Sequence, residues 1–175
     1  MGTKNLIELS QKYKIKKFIF ISTDKAVNPT SLMGSTKLVG EIIARRSGYT
    51  VVRFGNVMNS RGSVIPIWKK QVEKGEKITI TEFNMKRYFM SIEKAVQLVI
   101  VASGLPGEGQ TIILDMGEQR FIKDVAQELF PNHPTRRIGA KNGEKTEEKL
   151  MTDDEEVRMK AIKIKGNKFF LIKND

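Results

Sequence analysis

A parallel α/β fold is what this 175-residue sequence predicts. Residues 18–21 (FIFI) and Thr50–Phe54 are short apolar runs rich in aromatic and β-branched residues, the pattern of strands buried on both faces of a parallel sheet. Between them lies a helical stretch, Leu32–Arg46, opened by the turn and N-cap residues Asn28-Pro29-Thr30-Ser31 and closed at Gly48. Each strand breaks into small polar residues, Ser22-Thr23-Asp24-Lys25 and Gly55-Asn56, at the carboxyl end where open α/β sheets bind ligands. Strand, helix and strand on short links argue for right-handed βαβ winding.

The other elements follow from the same signals. Leu6, Ile7 and Leu9 suggest a short helix ending near Tyr13, followed by a basic connector over 14–17. Residues 66–74 look helical, with Gly75 as the stop, and 78–81 alternate like a half-exposed strand. Ser91 caps a helix through Ala102, with Glu93 in its first turn. Residues 104–109 are a loop and Thr111–Leu114 a strand. A helix over 122–130 places Val125, Ala126 and Leu129 on one face, and 131–148 are polar and loop-like. The runs 161–165 and 168–172 flank Gly166-Asn167 and read as a hairpin with a two-residue turn.

The chain carries 31 Lys+Arg against 20 Asp+Glu, a formal charge of +11, and the first hundred residues hold the whole excess, 18 basic against 7 acidic. A basic face favours anionic partners such as nucleotide diphosphates; solvated lysines are the plainer reading. No helix-turn-helix, RRM, KH or zinc pattern is present, and no aromatics interleave with the basic residues, so nucleic acid is not expected. The absence of cysteine excludes a disulfide framework and thiol-based metal sites or nucleophiles. The single histidine, His133, cannot build a His-cluster metal site and reads as a surface loop residue. No apolar run is long enough to span a bilayer, and residues 1–10 lack a signal-peptide core. The expectation is a cytoplasmic chain without membrane contact.

Ser22-Thr23-Asp24-Lys25-Ala26, followed by Met33-Gly34-Ser35-Thr36-Lys37, carries a resemblance. Residues four apart share a helix face, so Met33 and Lys37 point together, and Thr23 lies ten residues before Met33. That frame resembles the Thr–Tyr–Lys triad of the short-chain dehydrogenase/reductase (SDR) enzymes, with Met33 in the tyrosine position. The two strings are similar to the polysaccharide-biosynthesis UDP-N-acetylglucosamine 4,6-dehydratases of the extended SDR class, of capsule and flagellin-glycan type. Val52-Arg53-Phe54-Gly55-Asn56-Val57-Met58, Ser60-Arg61-Gly62-Ser63, Arg87-Tyr88-Phe89-Met90-Ser91, Leu114-Asp115-Met116-Gly117-Glu118 and Gly143-Glu144-Lys145 with Glu147-Glu148 agree with later family segments. Two departures stand out. Residues 82–86 lack the acidic, proline-containing turn usual there, and no Gly-rich dinucleotide fingerprint is present, since the glycines of 104–109 follow a helix rather than a strand.

The resemblance implies the C-terminal part of an extended-SDR Rossmann-like fold, plus a small α/β substrate-binding region and a C-terminal β-hairpin. Residues 1–60 would be the second half of the core and 61–175 the substrate-binding region, with 91–115 returning to the core. It implies NADP (or NAD) as cofactor when the N-terminal half is present, a UDP-sugar substrate, and a homo-oligomer or a chain supplying that half. The family reaction takes a hydride from C4, removes the C5 proton, expels the C6 hydroxyl and returns the hydride to C6. Lys25 is the candidate C5 base and Asp24 the acid at C6; Thr23 would hold the C4 hydroxyl. Lys37 would bind the nicotinamide ribose and lower the proton affinity of Lys25. Met33 cannot take a proton, which leaves water or Lys25 for the oxidation step; core packing is its alternative role. Thr23, Lys37, Phe54 and Asn56 are implied cofactor contacts, and Asn56, Arg61, Ser63, Arg87 and Glu148 substrate contacts. Asn56 as a turn residue and Arg61 and Arg87 as surface arginines are the alternatives, and Trp68 is expected to pack rather than stack on a base. A UDP-sugar epimerase of the same fold and a non-catalytic sugar-nucleotide-binding fragment are the competing functions.

Overall fold

A computed structural model describes residues 2–173; Met1 and the last two residues of the ranges above lie outside the described residues. In chain order the elements are α1 (Gly2–Lys12), β1 (Ile19–Thr23), a 3-10 turn (Asp24–Ala26), α2 (Leu32–Arg46), β2 (Thr50–Phe54), β3 (Asn56–Val57), α3 (Val64–Glu73), β4 (Ile78–Ile80), β5 (Lys86–Arg87) and β6 (Phe89–Met90). Then follow α4 (Ile92–Gly104), β7 (Thr111–Leu114), β8 (Arg120–Phe121), α5 (Ile122–Leu129), β9 (Thr135–Arg137), α6 (Asp153–Arg158), β10 (Met159–Ile164) and β11 (Asn167–Ile172). They form two compact units, one of Met1–Phe54, Val96–Asp115 and Lys149–Asp175, the other of Gly55–Ala95 and Met116–Glu148.

The first unit is built on a five-stranded sheet in the order β1-β2-β7-β11-β10. β1, β2 and β7 run parallel, as their apolar runs predict, while β11 joins β7 antiparallel and pairs with β10. The C-terminal hairpin is therefore part of the main sheet. That is why 149–173, which the resemblance assigns to the substrate-binding region, group with the first unit instead. The hairpin turn is Lys165-Gly166, one residue earlier than the sequence suggests, because Ile164 pairs with Asn167. Both turn residues have positive φ, 48° and 80°, the geometry that matches the twist of flanking strands.

Among the described residues β1 pairs with β2 alone, and Ile21 is 48% exposed, so the two-sided burial expected of this strand is not seen within this chain. Val51, Val52, Ile112 and Ile113 on the inner strands are fully buried, as strands covered on both sides should be. α2 is held close to β1 by Gly40, where a Cβ would run into the Phe20 ring. Its N-terminus is held against the 3-10 turn by Gly34, where a Cβ would meet the backbone carbonyl of Lys25. Ser31 caps this helix, its Oγ accepting from the Gly34 N–H at 3.2 Å.

A buried ionic cluster crosses the same unit. Arg53, near the end of β2, is 1% exposed, Glu41 of α2 is 0% exposed and Glu155 of α6 is 8% exposed. The Arg53 guanidinium donates Nε to Glu41 Oε1 (3.0 Å), Nη2 to Glu41 Oε2 (2.6 Å) and Glu155 Oε1 (3.1 Å), and Nη1 to Glu155 Oε2 (2.8 Å) and the Leu150 carbonyl (2.9 Å). All of its N–H donors are thereby matched. Burial alone would lower the Arg53 pKa, but hydrogen bonds and charge from Glu41 and Glu155 raise it overall. Burial likewise pushes the Glu155 carboxyl up, yet the hydrogen bond and charge of Arg53, the Thr152 N–H and the charge of Arg45 hold it below its usual range. Glu155 also closes a capping box with Thr152 at the start of α6.

In the second unit Ile65, Trp68, Ile78, Ile80, Met85, Ile122, Val125 and Ala126 form the core. Trp68 packs as expected, and its Nε1–H donates to the Thr79 carbonyl at 2.9 Å. The 131–148 stretch is not uniformly a loop, because β9 pairs parallel with β4, with Ile78 opposite Thr135. His133 is half-buried there, and its Nε2 lies 2.8 Å from the Glu76 carbonyl. β3 pairs parallel with β6 and β5 antiparallel with β8. No helix among the described residues is long and apolar enough to cross a membrane.

Gly34→Ala should lower unfolding free energy in urea by about 1–3 kcal/mol, because backbone rather than a flexible side chain meets the new methyl group. Glu155→Ala should cost about 3–5 kcal/mol by breaking a buried ion pair and leaving two Arg53 N–H groups without acceptors, although Glu41 still faces the charge. The folded-state pKa of Glu155 is depressed, so its contribution is complete above the unfolded value of about 4.3 and fades as pH falls through the folded value. Glu155→Gln should therefore show a shallower loss of stability between about pH 5 and 3 in acid titrations followed by circular dichroism.

Candidate active site

The candidate residues of the first unit gather at the end of β1. Thr23 leaves the strand in extended geometry and caps the 3-10 turn, its Oγ1 accepting from the Lys25 N–H at 3.4 Å. The Thr23 hydroxyl donates to Asp24 Oδ1 at 2.8 Å, and Lys25 Nζ donates to the same oxygen at 2.9 Å. Asp24 is fully buried, and its second oxygen, Oδ2, has no hydrogen-bond partner among the described residues. The Lys25 side chain is 31% exposed, so the pair runs from the interior to the surface. A buried carboxylate with one bare oxygen beside an ammonium and a hydroxyl can give up or take a proton within one hydrogen-bonded string.

The surroundings in this unit come from α2 and β2. Met33 lies in the first turn of α2 and is 47% exposed, so it is not part of the core formed by the described residues. Lys37, one turn on, donates Nζ to the Ile21 carbonyl at 3.0 Å and lies 5.1 Å from the centre of the Phe20 ring. Phe54, half-buried, is the strand partner of Thr23 in the β1–β2 register. The first unit thus brings Thr23, Asp24, Lys25, Lys37 and Phe54 to the carboxyl ends of β1 and β2, with Met33 on the helix that abuts the turn.

The remaining candidates belong to the second unit. Asn56 opens β3, and its backbone N–H donates to the Tyr88 carbonyl at 3.0 Å. Ser63 is the N-cap residue of α3 but makes no side-chain cap bond, and its buried Oγ has no hydrogen-bond partner among the described residues. Arg61, two residues earlier, is exposed.

Arg87 is buried rather than a surface arginine. Its Nη1 donates to the Lys86 and Thr146 carbonyls (2.7 and 3.1 Å) and its Nη2 to the Lys145 carbonyl (2.7 Å). Two of these bonds hold the Lys145 and Thr146 carbonyls, and fewer donors remain for a diphosphate than the sequence suggests. Glu148, 3% exposed, sits in that segment with Lys145 Nζ 3.6 Å from its Oε2. The structure brings Arg87 together with the segment bearing Glu148, and joins Asn56 to Tyr88, the residue after Arg87.

Arg53 and its carboxylates are the charged residues that motif reasoning missed. The signal was present: an arginine inside Val51-Val52-Arg53-Phe54, a strand expected to be buried on both faces, must find matched anions.

The family model described as polysaccharide biosynthesis protein matches residues 1–168. The capsular polysaccharide biosynthesis protein CapD of Staphylococcus aureus is 40% identical over 169 residues, 89% of this chain and 28% of its own length. A UDP-glucose 4-epimerase of Rickettsia rickettsii is 38% identical over 168 residues, covering 89% of this chain and 49% of its own. An inverting UDP-N-acetylglucosamine 4,6-dehydratase of Campylobacter jejuni is 34% identical over 164 residues, 88% of this chain and 49% of its own. The solved structure of Pen from Bacillus thuringiensis superposes with a TM-score of 0.87 at 35% identity, over 99% of this chain and 57% of that one. A dTDP-glucose 4,6-dehydratase, DesIV of Streptomyces venezuelae, shares the fold at 14% identity with a TM-score of 0.74, over 89% of this chain and 57% of its own. The chain thus spans about half the length of such relatives, or less. The strand-end motif, the parallel sheet beneath it and the match over residues 1–168 together make this chain a member of the polysaccharide biosynthesis protein family, with an extended-SDR Rossmann-like fold.

Proposed function

We propose that this chain is the catalytic part of a nucleotide-sugar 4,6-dehydratase that converts a UDP-N-acetylhexosamine to its 4-keto-6-deoxy product. The observation that carries this reading is the Asp24–Lys25 pair, 2.9 Å apart, with its bare carboxylate oxygen at the end of β1. Epimerisation at C4 moves a hydride and a hydroxyl proton. Dehydration needs in addition a base for the C5 proton and an acid for the departing C6 hydroxyl. Transfer of one proton from the Lys25 ammonium to Asp24 converts the ion pair into an amine and a carboxylic acid, the two forms that elimination requires. Exclusion of water by bound substrate favours that neutral pair over the ionic one.

Thr23 would hold the C4 hydroxyl through the lone pair left over while its hydroxyl donates to Asp24 and accepts from the Lys25 N–H. Met33 supplies no proton, so the C4 hydroxyl proton leaves through water or Lys25. A nicotinamide cofactor, NADP or NAD, would take up a hydride and return it. The residues present fit its nicotinamide end: a hydroxyl at Thr23, an ammonium at Lys37, and the partly exposed Met33 side chain. Asn56, Arg61, Ser63, Arg87 and Glu148 of the second unit are the residues proposed to hold the nucleotide and sugar. The unsatisfied Ser63 hydroxyl and the buried Glu148 carboxylate speak for this most directly. The identity with a rickettsial UDP-glucose 4-epimerase supports epimerisation as the second reading.

Titration calorimetry of the chain with UDP-N-acetylglucosamine should show saturable binding. In protein completed with the N-terminal half of a relative and supplied with NADP, Asp24→Asn and Lys25→Ala should each lower kcat by about 10²–10⁴-fold and leave KM within about threefold. Unchanged turnover in both variants, or formation of a C4 epimer without loss of water, would reject the dehydratase reading.

A further inference from the structure

We propose that Arg53 is a positioning residue for the candidate site, fixing within the first unit the two points where the chain departs towards Asn56 and returns from Glu148. The inference rests on the reading of those two residues given above. Asn56 lies three residues beyond Arg53, and Glu148 two residues before Leu150. The Arg53 Nη1 donates to the Leu150 carbonyl at 2.9 Å, so one guanidinium holds both the departing strand and the returning segment. Its other edge forks onto Glu41 in α2, the helix whose first turns carry Met33, Gly34 and Lys37.

Glu155 tightens the arrangement. Its Oε2 accepts from Arg53 Nη1 at 2.8 Å and from the Thr152 backbone N–H at 2.9 Å. The α6 cap and the ion pair therefore share one carboxylate, and the segment from Leu150 to Glu155 cannot loosen without breaking both. Arg45 extends the cluster, donating Nη1 to Glu41 Oε2 at 3.2 Å and to Thr111 Oγ1 of β7 at 3.0 Å. A lysine at position 53 could not replace the fork, having three donors and no planar geometry. Buried ion clusters are often replaceable by apolar residues without loss of stability. What an apolar replacement cannot supply here is a directional hold on the Leu150 carbonyl and on two carboxylates at once.

The test compares the wild-type chain, the apolar triple variant Arg53→Met/Glu41→Leu/Glu155→Leu and the milder Glu155→Gln. Each is followed by thermal melting, site-resolved hydrogen exchange and calorimetric titration with UDP-N-acetylglucosamine. The triple variant should keep a cooperative melt and wild-type protection in α1. Its Asn56 and Lys86 amides, bonded in the wild type to the Tyr88 and Thr146 carbonyls, should exchange about tenfold faster or more. Its affinity for the sugar nucleotide should fall by about tenfold or more. Glu155→Gln should move both in the same direction by a smaller factor. A folded triple variant with wild-type exchange at those amides overturns the proposal, whatever the ligand does. Wild-type protein that fails to bind, with faster exchange in the variant, removes the substrate reading and supports the positioning role. If the triple variant does not fold, Glu155→Gln decides by the same amides.

Discussion

A full positive charge at Arg53, 1% exposed in the middle of an apolar strand, is the constraint around which the first unit is arranged. Such a charge is tolerated only when every donor is matched. Matching them takes one carboxylate from α2, one from α6 and the Leu150 carbonyl. The helix, the strand end and the returning segment are thereby fixed against one another by direction as well as by contact. Apolar packing at Val51, Val52, Ile112 and Ile113 supplies the nondirectional part of the same assembly.

The strand-end site depends on that frame and on one close approach. Gly34 lets the start of α2 reach the Lys25 carbonyl, and the Ser31 cap holds the helix there. Asp24 is then buried with Thr23 and Lys25 as donors to one oxygen, and its other oxygen is left bare. A buried polar atom without a partner is costly, and functional sites are where such a cost persists. The catalytic reading of this site therefore rests on an unmet hydrogen-bond demand as well as on the motif.

The sequence was most informative where a local signal and the tertiary context agreed. α2, β2 and β7 have the boundaries their caps, glycines and apolar runs indicate. The two-residue strands β3, β5, β6 and β8 are too short to carry a period, and β9 exists because β4 offers it a ladder. In the hairpin both candidate turns contain Gly166, and only the pairing of Ile164 with Asn167 chooses between them. In the candidate site, Thr23, Asp24, Lys25, Met33 and Lys37 were singled out through their resemblance to a family motif at one strand end and on one helix. The occupied donors of Arg87 and the partners of Arg53 were not, because they depend on residues 58 and 102 positions away.

The central claim is that Asp24 and Lys25 serve an elimination. The most direct measurement is the fate of the C5 hydrogen when UDP-N-acetylglucosamine is turned over in deuterated water by protein completed to family length, read by proton NMR. The account predicts a 4-keto-6-deoxy product that has lost water and carries solvent deuterium at C5. A C4 epimer with its original C5 hydrogen and no loss of water would contradict it.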